Sequence, residues 1–366
     1  MLKNYFKIAI AVLRRRKFFT FISLFGISFT LTILIVLAAF INNIARSDYP
    51  DRKRDRSLYV LLVEQKNTKT NGRNTGPASF YLLDHYVSAM KTPEMVSIAS
   101  FFSATNTYVN NKKLTIDLKY TNDVFWDVME FDFLEGKPYN LQQIRAAEKI
   151  AVISEDTRDS YFGKGTTALG KYIETDNEQY RVVGVVKDVP ITMVYAYGNL
   201  YLPYTLSKRD IHDKNLSSEY TGVLVAKSKA DLPAMKAEYQ SVLSRIPLKG
   251  TEFDQLYSHA DDYITSYTRI IMGDGQHTGT QTLVLALSAF ALLFMLLPTL
   301  NLININTSRI MERSSEIGVR KAFGASSGTL VLQFITENII LTLIGGVIGL
   351  LLSWGIISYI NAKSCH

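Results

Sequence analysis

Residues Phe18 to Ile44 read FFTFISLFGISFTLTILIVLAAFINNI, 27 residues without a charged side chain. About 20 apolar residues cross the hydrocarbon core of a bilayer. At 1.5 Å per residue this helix runs roughly 40 Å, so it tilts or projects beyond the lipid. A cleaved signal peptide would carry an apolar stretch of only ~7–15 residues with a small-residue cleavage site behind it. Asn42-Asn43-Ile44-Ala45-Arg46 is a poor cleavage site, so the run reads as a retained anchor. Two further apolar runs lie far downstream, Leu283 to Ile303, with Pro298 near its inner end, and Ile339 to Ile360. The last contains Gly345, Gly346 and Gly349, a small-residue spacing that lets helix backbones approach closely in lipid. Glycine is also simply common in membrane helices. The expected fold is integral membrane α-helical, with three transmembrane helices, plus a large α+β extracytoplasmic domain.

The charge is distributed to match. The chain has 366 residues, 47% of them apolar, which excludes a disordered polymer, and a net charge of +7. Residues 1–17 carry Lys3, Lys7, Arg14, Arg15, Arg16 and Lys17 with no acid, a net +6. Residues 305–334 carry four basic and two acidic residues, whereas residues 46–281 carry 29 basic and 30 acidic. Positive charge confined to short segments beside apolar runs follows the positive-inside rule. It argues against nucleic acid as a partner, which needs a basic face on a folded domain. The N-terminus is therefore expected in the cytoplasm, followed by membrane lipid, an outer domain, and a return. Arg46, Arg52, Lys53, Arg54 and Arg56 lie on the outer side of the first span, diluted by Asp48, Asp51 and Asp55. Long translocated domains largely escape the charge rule.

The resulting division is a basic, amphipathic N-terminal segment (1–17), a first span (18–45), an outer domain (46–281), a second span (282–304), a cytoplasmic loop (305–334), a third span (335–360) and an outer tail (361–366). In the outer domain, Leu58–Val63, Lys113–Tyr120, Arg181–Val186 and Gly222–Ala226 read as strands. Phe80–Met90 and Asp231–Ile246 have helical spacing. Lys66–Pro77 reads as a polar mobile loop, and Met272–Thr280, with its glycines, as a hinge linker before the second span.

Catalytic chemistry is not visible. Gly165-Thr166-Thr167-Ala168-Leu169-Gly170-Lys171-Tyr172 falls one residue short of a phosphate-binding loop, which requires Ser or Thr after the lysine. It reads instead as a turn into a strand at Tyr172. The five histidines are scattered without metal-ligand spacing, so no metal site is expected. Asp84-His85 has no placed nucleophile, Asp261-Asp262 reads as a solvated acidic spot, and Cys365 is the only cysteine, which excludes a disulfide framework. The chain is not expected to be an enzyme.

The most informative stretch is Ser308-Arg309-Ile310-Met311-Glu312-Arg313-Ser314-Ser315-Glu316-Ile317-Gly318-Val319-Arg320-Lys321-Ala322-Phe323-Gly324-Ala325. Ser308 to Ala322 is expected to form a short helix with charges three and four residues apart. Glu316 to Arg320 stands in the favourable order. Ile317, Val319 and Phe323 supply apolar contacts, and Gly324 ends the helix. A charged helix hung between two membrane helices is a suitable lever, since a partner gripping it moves both spans. A solvated loop shaped only by topology fits the same spacing equally well.

Residues 314–325 resemble the coupling segment of the macrolide-exporter (MacB)/FtsX-like permeases, the membrane subunits of mechanotransmitting ABC systems. The flanks Pro298-Thr299-Leu300-Asn301-Leu302 and Gln333-Phe334-Ile335-Thr336-Glu337 are also similar to that family, as is Leu13-Arg14-Arg15-Arg16-Lys17-Phe18-Phe19-Thr20. In the outer domain Phe133-Leu134-Glu135-Gly136, Val152-Ile153-Ser154-Glu155, Tyr161-Phe162-Gly163 and Val182 to Asp188 follow the family's order.

The resemblance implies a permease in the bacterial cytoplasmic (inner) membrane, working with a separate cytoplasmic ABC ATPase. No cofactor is bound directly, and ATP is used by that partner. It implies a permease homodimer or a pair with a paralogue, and leaves open a periplasmic adaptor and an outer-membrane protein. Arg313, Glu316, Arg320 and Lys321 would dock the ATPase, with Gly318 and Gly324 shaping the helix. Gly345, Gly346 and Gly349 would serve helix packing. Family permeases carry one span, an outer domain and then three spans. This sequence holds three of the four, as a piece of a longer subunit or a shortened member. Two other readings stand beside transport. One is a signalling subunit that regulates a cell-wall hydrolase or sensor kinase. The other is a membrane-anchored ligand receptor, for which a loop at residues 305–334 leaves no room for a signalling domain.

Overall fold

The computed structural model describes residues 17–109, 112–248, 251–312, 314–324 and 326–364. The basic N-terminal segment up to residue 16, Arg313 and Cys365 lie outside the described residues. The chain divides into two compact units, an outer one from Ile44 to Leu283 and a helical one made of the residues on either side.

Among the described residues, the outer unit contains twelve strands. They are β1 (Ser57–Lys66), β2 (Arg73–Pro77), β3 (Pro93–Ser100), β4 (Ser103–Val109), β5 (Lys112–Thr121), β6 (Phe133–Gly136), β7 (Ile150–Ser154), β8 (Tyr172–Thr175), β9 (Glu178–Val186), β10 (Leu200–Pro203), β11 (Tyr220–Ala226) and β12 (Gln255–Asp261). The chain's helices are α1 (Lys17–Ala45), α2 (Val124–Val128), α3 (Leu141–Arg145), α4 (Glu155–Phe162), α5 (Leu232–Ser244), α6 (Tyr263–Met272), α7 (Thr280–Glu312), α8 (Ser314–Ala322) and α9 (Ser327–Ser364). Of these, α2 to α6 belong to the outer unit.

One sheet runs in the order β12-β1-β11-β3-β5-β10-β7-β9-β6, with β2, β4 and β8 attached to β1, β5 and β9. Its strands are apolar on both sides because both faces of the sheet are covered. In β1, Leu58 and Val60 enter one core while Tyr59 and Leu61 enter the other. In β11, Leu224 and Val225 separate in the same way. The second core is aromatic, built round Phe125, Trp126, Phe131, Tyr139 and Tyr201. Helix starts follow local chemistry. Asn140 and Gln143 form a reciprocal cap on α3, Ser154 accepts from Thr157 N at α4, and Asp262 accepts from Thr265 N at α6.

Several expectations need correction. Lys66–Pro77 is not a mobile loop, because Arg73–Pro77 pairs with β1 from Leu62↔Pro77 to Lys66↔Arg73. Asn67 Oδ1 closes the turn by accepting from Lys69 N and Thr70 N. Phe80–Met90 is not a regular α-helix, since Leu82–Val87 is wound as a six-residue π-helix. Asp261-Asp262 is not a solvated spot. Asp261 is buried against Arg269, and Asp262 caps α6. The helix expected from Ser308 starts later, because residues 308–312 are the last part of α7.

Lys119 of β5 is fully buried, and among the described residues its ammonium donates to the carbonyls of Ser100 (2.8 Å) and Val194 (3.2 Å) alone. Burial pulls its pKa down to about 7. The unfolded chain therefore binds a proton that the folded chain releases, between about pH 7 and the free lysine value near 10.4. Stability should rise with pH across that window, by at most about 1.4 kcal/mol per unit, and gain nothing from this group below pH 7. Denaturation of the chain in detergent, followed by fluorescence, should show this slope, and Lys119→Met should remove it.

Candidate coupling segment and its connections

Among the described residues, three helices are long and apolar enough to cross a membrane, at Thr20–Asn42, Thr280–Glu312 and Phe334–Ile360. Within the helical unit, α1 is tied to both of the others through hydroxyls. Thr30 Oγ1 donates to Phe294 O of α7 at 3.3 Å. Thr32 Oγ1 donates to Ser28 O at 2.7 Å and is 3.3 Å from Gly349 O of α9. The three glycines of α9 differ in their surroundings. A Cβ on Gly345 would lie 2.8 Å from Ile27 Cγ2, and one on Gly349 would lie 3.0 Å from Ser28 O. One on Gly346 would make an ordinary contact with Leu31 at 3.8 Å. Gly345 and Gly349 therefore hold α9 against α1, whereas Gly346 has room for a larger residue. Sequence reading passed over Thr30 and Thr32. Their signal was faint, two short hydroxyl side chains in a run of 27 uncharged residues.

Between α7 and α9 stands α8, nine residues long. Phe323 N donates to Val319 O and Gly324 N to Lys321 O, and the chain reverses at Gly324 with φ +88°. That left-handed backbone explains the glycine. A Cβ on Gly318 would meet nothing within 4 Å, so this glycine leaves open surface. Lys321 is exposed. Glu316 and Arg320 stand one helical turn apart on α8, and their side chains lie outside the described residues, as does all of Arg313. Val319 and Phe323 were expected to pack. They are instead 56% and 88% exposed, four residues apart. Such a pair lies on one helix face. The segment thus presents an apolar pair together with an exposed lysine.

At the other end of α1 and α7, the outer unit fastens the chain with buried charge. Arg54 donates from Nε to Asp51 Oδ2 (2.9 Å) and from Nη1 to Arg46 O (2.6 Å), and its guanidinium lies 3.6 Å from the Tyr263 ring centre. Tyr59 donates to the same Asp51 oxygen. Burial raises the Asp51 pKa, and Arg54 opposes that rise. Arg269 of α6 reaches Asp261 with both Nε (2.7 Å) and Nη2 (3.3 Å), and Nη1 donates to Asp274 O.

The presumed hinge at Met272–Thr280 is pinned. Gly275 N donates to the fully buried Glu64 at 2.7 Å, and Lys66 and Arg73 pair with that carboxylate. Asp274 accepts from His277 N and Gln276 N, which draws its pKa down to about 2. His259 faces Gly275 O at 3.0 Å. A glutamate closing the apolar run LYVLLV was the available signal for this lock.

The near-match to a phosphate loop is occupied by the protein itself. Glu135 Oε2 accepts from Thr167 Oγ1, Ala168 N and Leu169 N, and Arg158 approaches its other oxygen. Although burial works against it, these hydrogen bonds hold the Glu135 carboxyl below its ordinary range. The amides that would meet a phosphate are already engaged, and residues 172–175 form β8 as the turn reading expected. Among the described residues, no group of three or more His, Cys, Asp or Glu could hold a metal ion.

A membrane-helix unit carrying a short charged helix, joined to a large mixed α/β domain, is the architecture of an ABC transporter permease. The family profile of the MacB-like periplasmic core domain matches residues 20–242, and that of the FtsX-like permease C-terminal region matches residues 288–365. The chain belongs to the MacB/FtsX-like ABC permease family.

It is 24% identical over 365 residues to the macrolide export ATP-binding/permease protein MacB of Acinetobacter baylyi, covering 98% of this chain and 52% of that protein. It is 25% identical over 243 residues to the uncharacterized ABC transporter permease YknZ of Bacillus subtilis, covering 66% of this chain and 57% of YknZ. Among solved structures, the periplasmic region of MacB from Actinobacillus actinomycetemcomitans aligns with 58% of this chain and 92% of its own, at 17% identity and a TM-score of 0.41. The chain spans about half the length of the MacB relatives from Acinetobacter baylyi and Hahella chejuensis.

Proposed function

We propose that this permease couples ATP hydrolysis by a separate cytoplasmic ATPase to movement of its outer domain, for export or extraction of a substrate. The observation that carries this reading is α8, an exposed charged helix strung between two candidate membrane helices and closed by a left-handed glycine. An ATPase that grips α8 displaces α7 and α9. The hydroxyl ties from Thr30 and Thr32 bring α1 with them. At the outer unit, Glu64, Asp261 and Asp51 convert helix displacement into displacement of β1 and β12 instead of letting a loose linker absorb it.

In this reading the N-terminus and residues 305–334 are cytoplasmic, residues 46–281 are extracytoplasmic, and the permease works as a dimer in the inner membrane. The ATPase docks on Arg313, Glu316, Arg320 and Lys321. The exposed pair Val319 and Phe323 adds apolar area to that surface. The test is capture. The tagged chain, co-expressed with the ATPase encoded beside it, should bring that ATPase out of solubilised membranes in stoichiometric amount. Absence of the ATPase, from this chain and from one extended by a fourth span, would overturn the proposal.

A further inference from the structure

Helix α6 is dressed inside out. The side chains it buries include Ser266, Thr268 and Arg269, while its last turn exposes Ile270, Ile271 and Met272. A helix on a water-bathed domain turns its apolar stripe to the core and its polar side outward. Here the protein itself serves the buried polar groups. Ser266 Oγ donates to Tyr263 O and accepts from Tyr195 Oη, both at 2.8 Å, and Thr268 Oγ1 donates to Thr265 O at 3.0 Å. Arg269 is taken up by Asp261. The outward aliphatic side chains have no such account, Ile271 being 69% exposed.

A second segment adds to them. Thr192 O accepts from Tyr263 Oη (3.4 Å) and from Tyr267 Oη, which holds the loop between β9 and β10 beside α6. The preceding residue, Ile191, is 56% exposed. Tyr267 lies three and four positions before Ile270 and Ile271, hence on their side of the helix.

The course of the chain locates this patch. Thr268 Oγ1 is 3.0 Å from the hydroxyl of Thr280, the first residue of α7. Gly279 lies so close to the end of α6 that a Cβ there would stand 2.7 Å from the Met272 carbonyl carbon. All these residues belong to the outer unit. The uncharged apolar run begins at Leu283, after Gln281 and Thr282. At 1.5 Å per residue that is roughly 4.5 Å along the helix from Thr280. The exposed end of α6 therefore stands beside the point at which the chain enters lipid. An apolar helix face at that level is the mark of an interfacial helix, and the half-buried Tyr267 suits the headgroup layer.

We infer that the last turn of α6 and Ile191 form an apolar foot seated in the bilayer interface next to α7, its occupant lipid and not protein. Four exposed side chains fall well short of the ~800 Å² per partner that a stable protein interface buries. The inference rests on α7 crossing the membrane and does not depend on ATPase coupling.

The test uses the full chain with Cys365→Ser in nanodiscs, with one added cysteine carrying an environment-sensitive fluorophore. The sites are Ile271→Cys and Ile191→Cys in the patch, Leu293→Cys within the apolar run of α7, and Ala237→Cys on α5. All four positions are exposed, so the label displaces no packing. The quencher is a phosphatidylcholine with a nitroxide high on its acyl chain. Quenching at positions 271 and 191 should be at least threefold that at 237, and should fall when the nitroxide is moved to the chain end. Labels at 271 and 191 quenched no more than at 237, with 293 still quenched, would overturn the foot and keep the span. A label at 271 shielded from water yet unquenched by lipid would show protein covering the patch, and would overturn the inference as well. Absence of quenching at 293 would remove the span and the foot together.

Discussion

Glu316→Lys is expected to lower permease-stimulated ATP turnover at least tenfold and to stop outer-domain movement, while the far-ultraviolet dichroism of the chain stays the same. The argument begins with length. Isolated helices shorter than about 12–15 residues are marginal in water, so a nine-residue helix relies on its connections and its side-chain pairs. Glu316 is the only acid in residues 314–322, against Arg320 and Lys321. Reversal replaces an attractive spacing to Arg320 with a repulsive one, worth a few tenths of a kcal/mol within the helix. That is too little to unfold a chain anchored by three membrane helices. The larger effect falls on the proposed docking surface, where an unmatched charge would weaken the encounter and misplace the partner. Unchanged turnover and transport in this variant would remove Glu316 from the coupling surface.

The second large effect concerns the joint between α6 and β12. Arg269→Met should destabilise the outer domain by about 3–5 kcal/mol, because it leaves Asp261 buried without its counter-charge. Arg269 and Asp261 are 4% and 6% exposed, so water cannot take over the role of the lost partner. The double variant Asp261→Leu/Arg269→Met should recover much of the loss, since apolar packing of similar volume often replaces a buried ion pair without penalty. Chemical denaturation in detergent, followed through Trp126 of the aromatic core, measures both. A single variant no less stable than the double one would show that the pair does not hold the joint. Asp261→Leu alone is the converse control, because it strands the guanidinium beside Asp274 O.

What could be read in the sequence divides along physical lines. Strands such as β1, β9 and β11 were legible because both faces of the sheet are buried, which writes continuous Val, Leu, Ile and Tyr runs into the chain. The three apolar helices were legible for a comparable reason, since lipid dictates their composition over their whole length. β2 was not. Arg73-Asn74-Thr75-Gly76-Pro77 has no strand composition, and it is extended because β1 offers its edge to it.

The candidate site was partly legible. The spacing of Glu316, Arg320 and Gly324 marks a short helix, and the structure puts the left-handed turn at Gly324. The exposure of Val319 and Phe323 could not be foreseen, because an apolar pair at helical spacing usually signals packing within the chain. The lock at Glu64 was hidden because it joins residues distant in sequence, meeting Gly275 across 211 positions. Asp51–Arg54 and Asp261–Arg269 are near in sequence and were hidden because the chain gives no sign that these charges are buried. Glycine-rich composition suggests freedom only where no buried carboxylate claims the freed amide.

The pairing of β1 with β12 has a consequence for how such a chain can be altered. The path from α1 enters the sheet on β1, and the path to α7 leaves it after β12, with Tyr59 facing Asp261 across the ladder. Facing residues in an antiparallel pair have Cα atoms only about 4.5–5.5 Å apart. The domain is therefore an insertion whose two ends adjoin, like a loop tied at its neck. An insertion of that kind is a cassette. Any other domain whose terminal strands are neighbours could be spliced at the same neck, with the membrane helices and α8 keeping their own sequence.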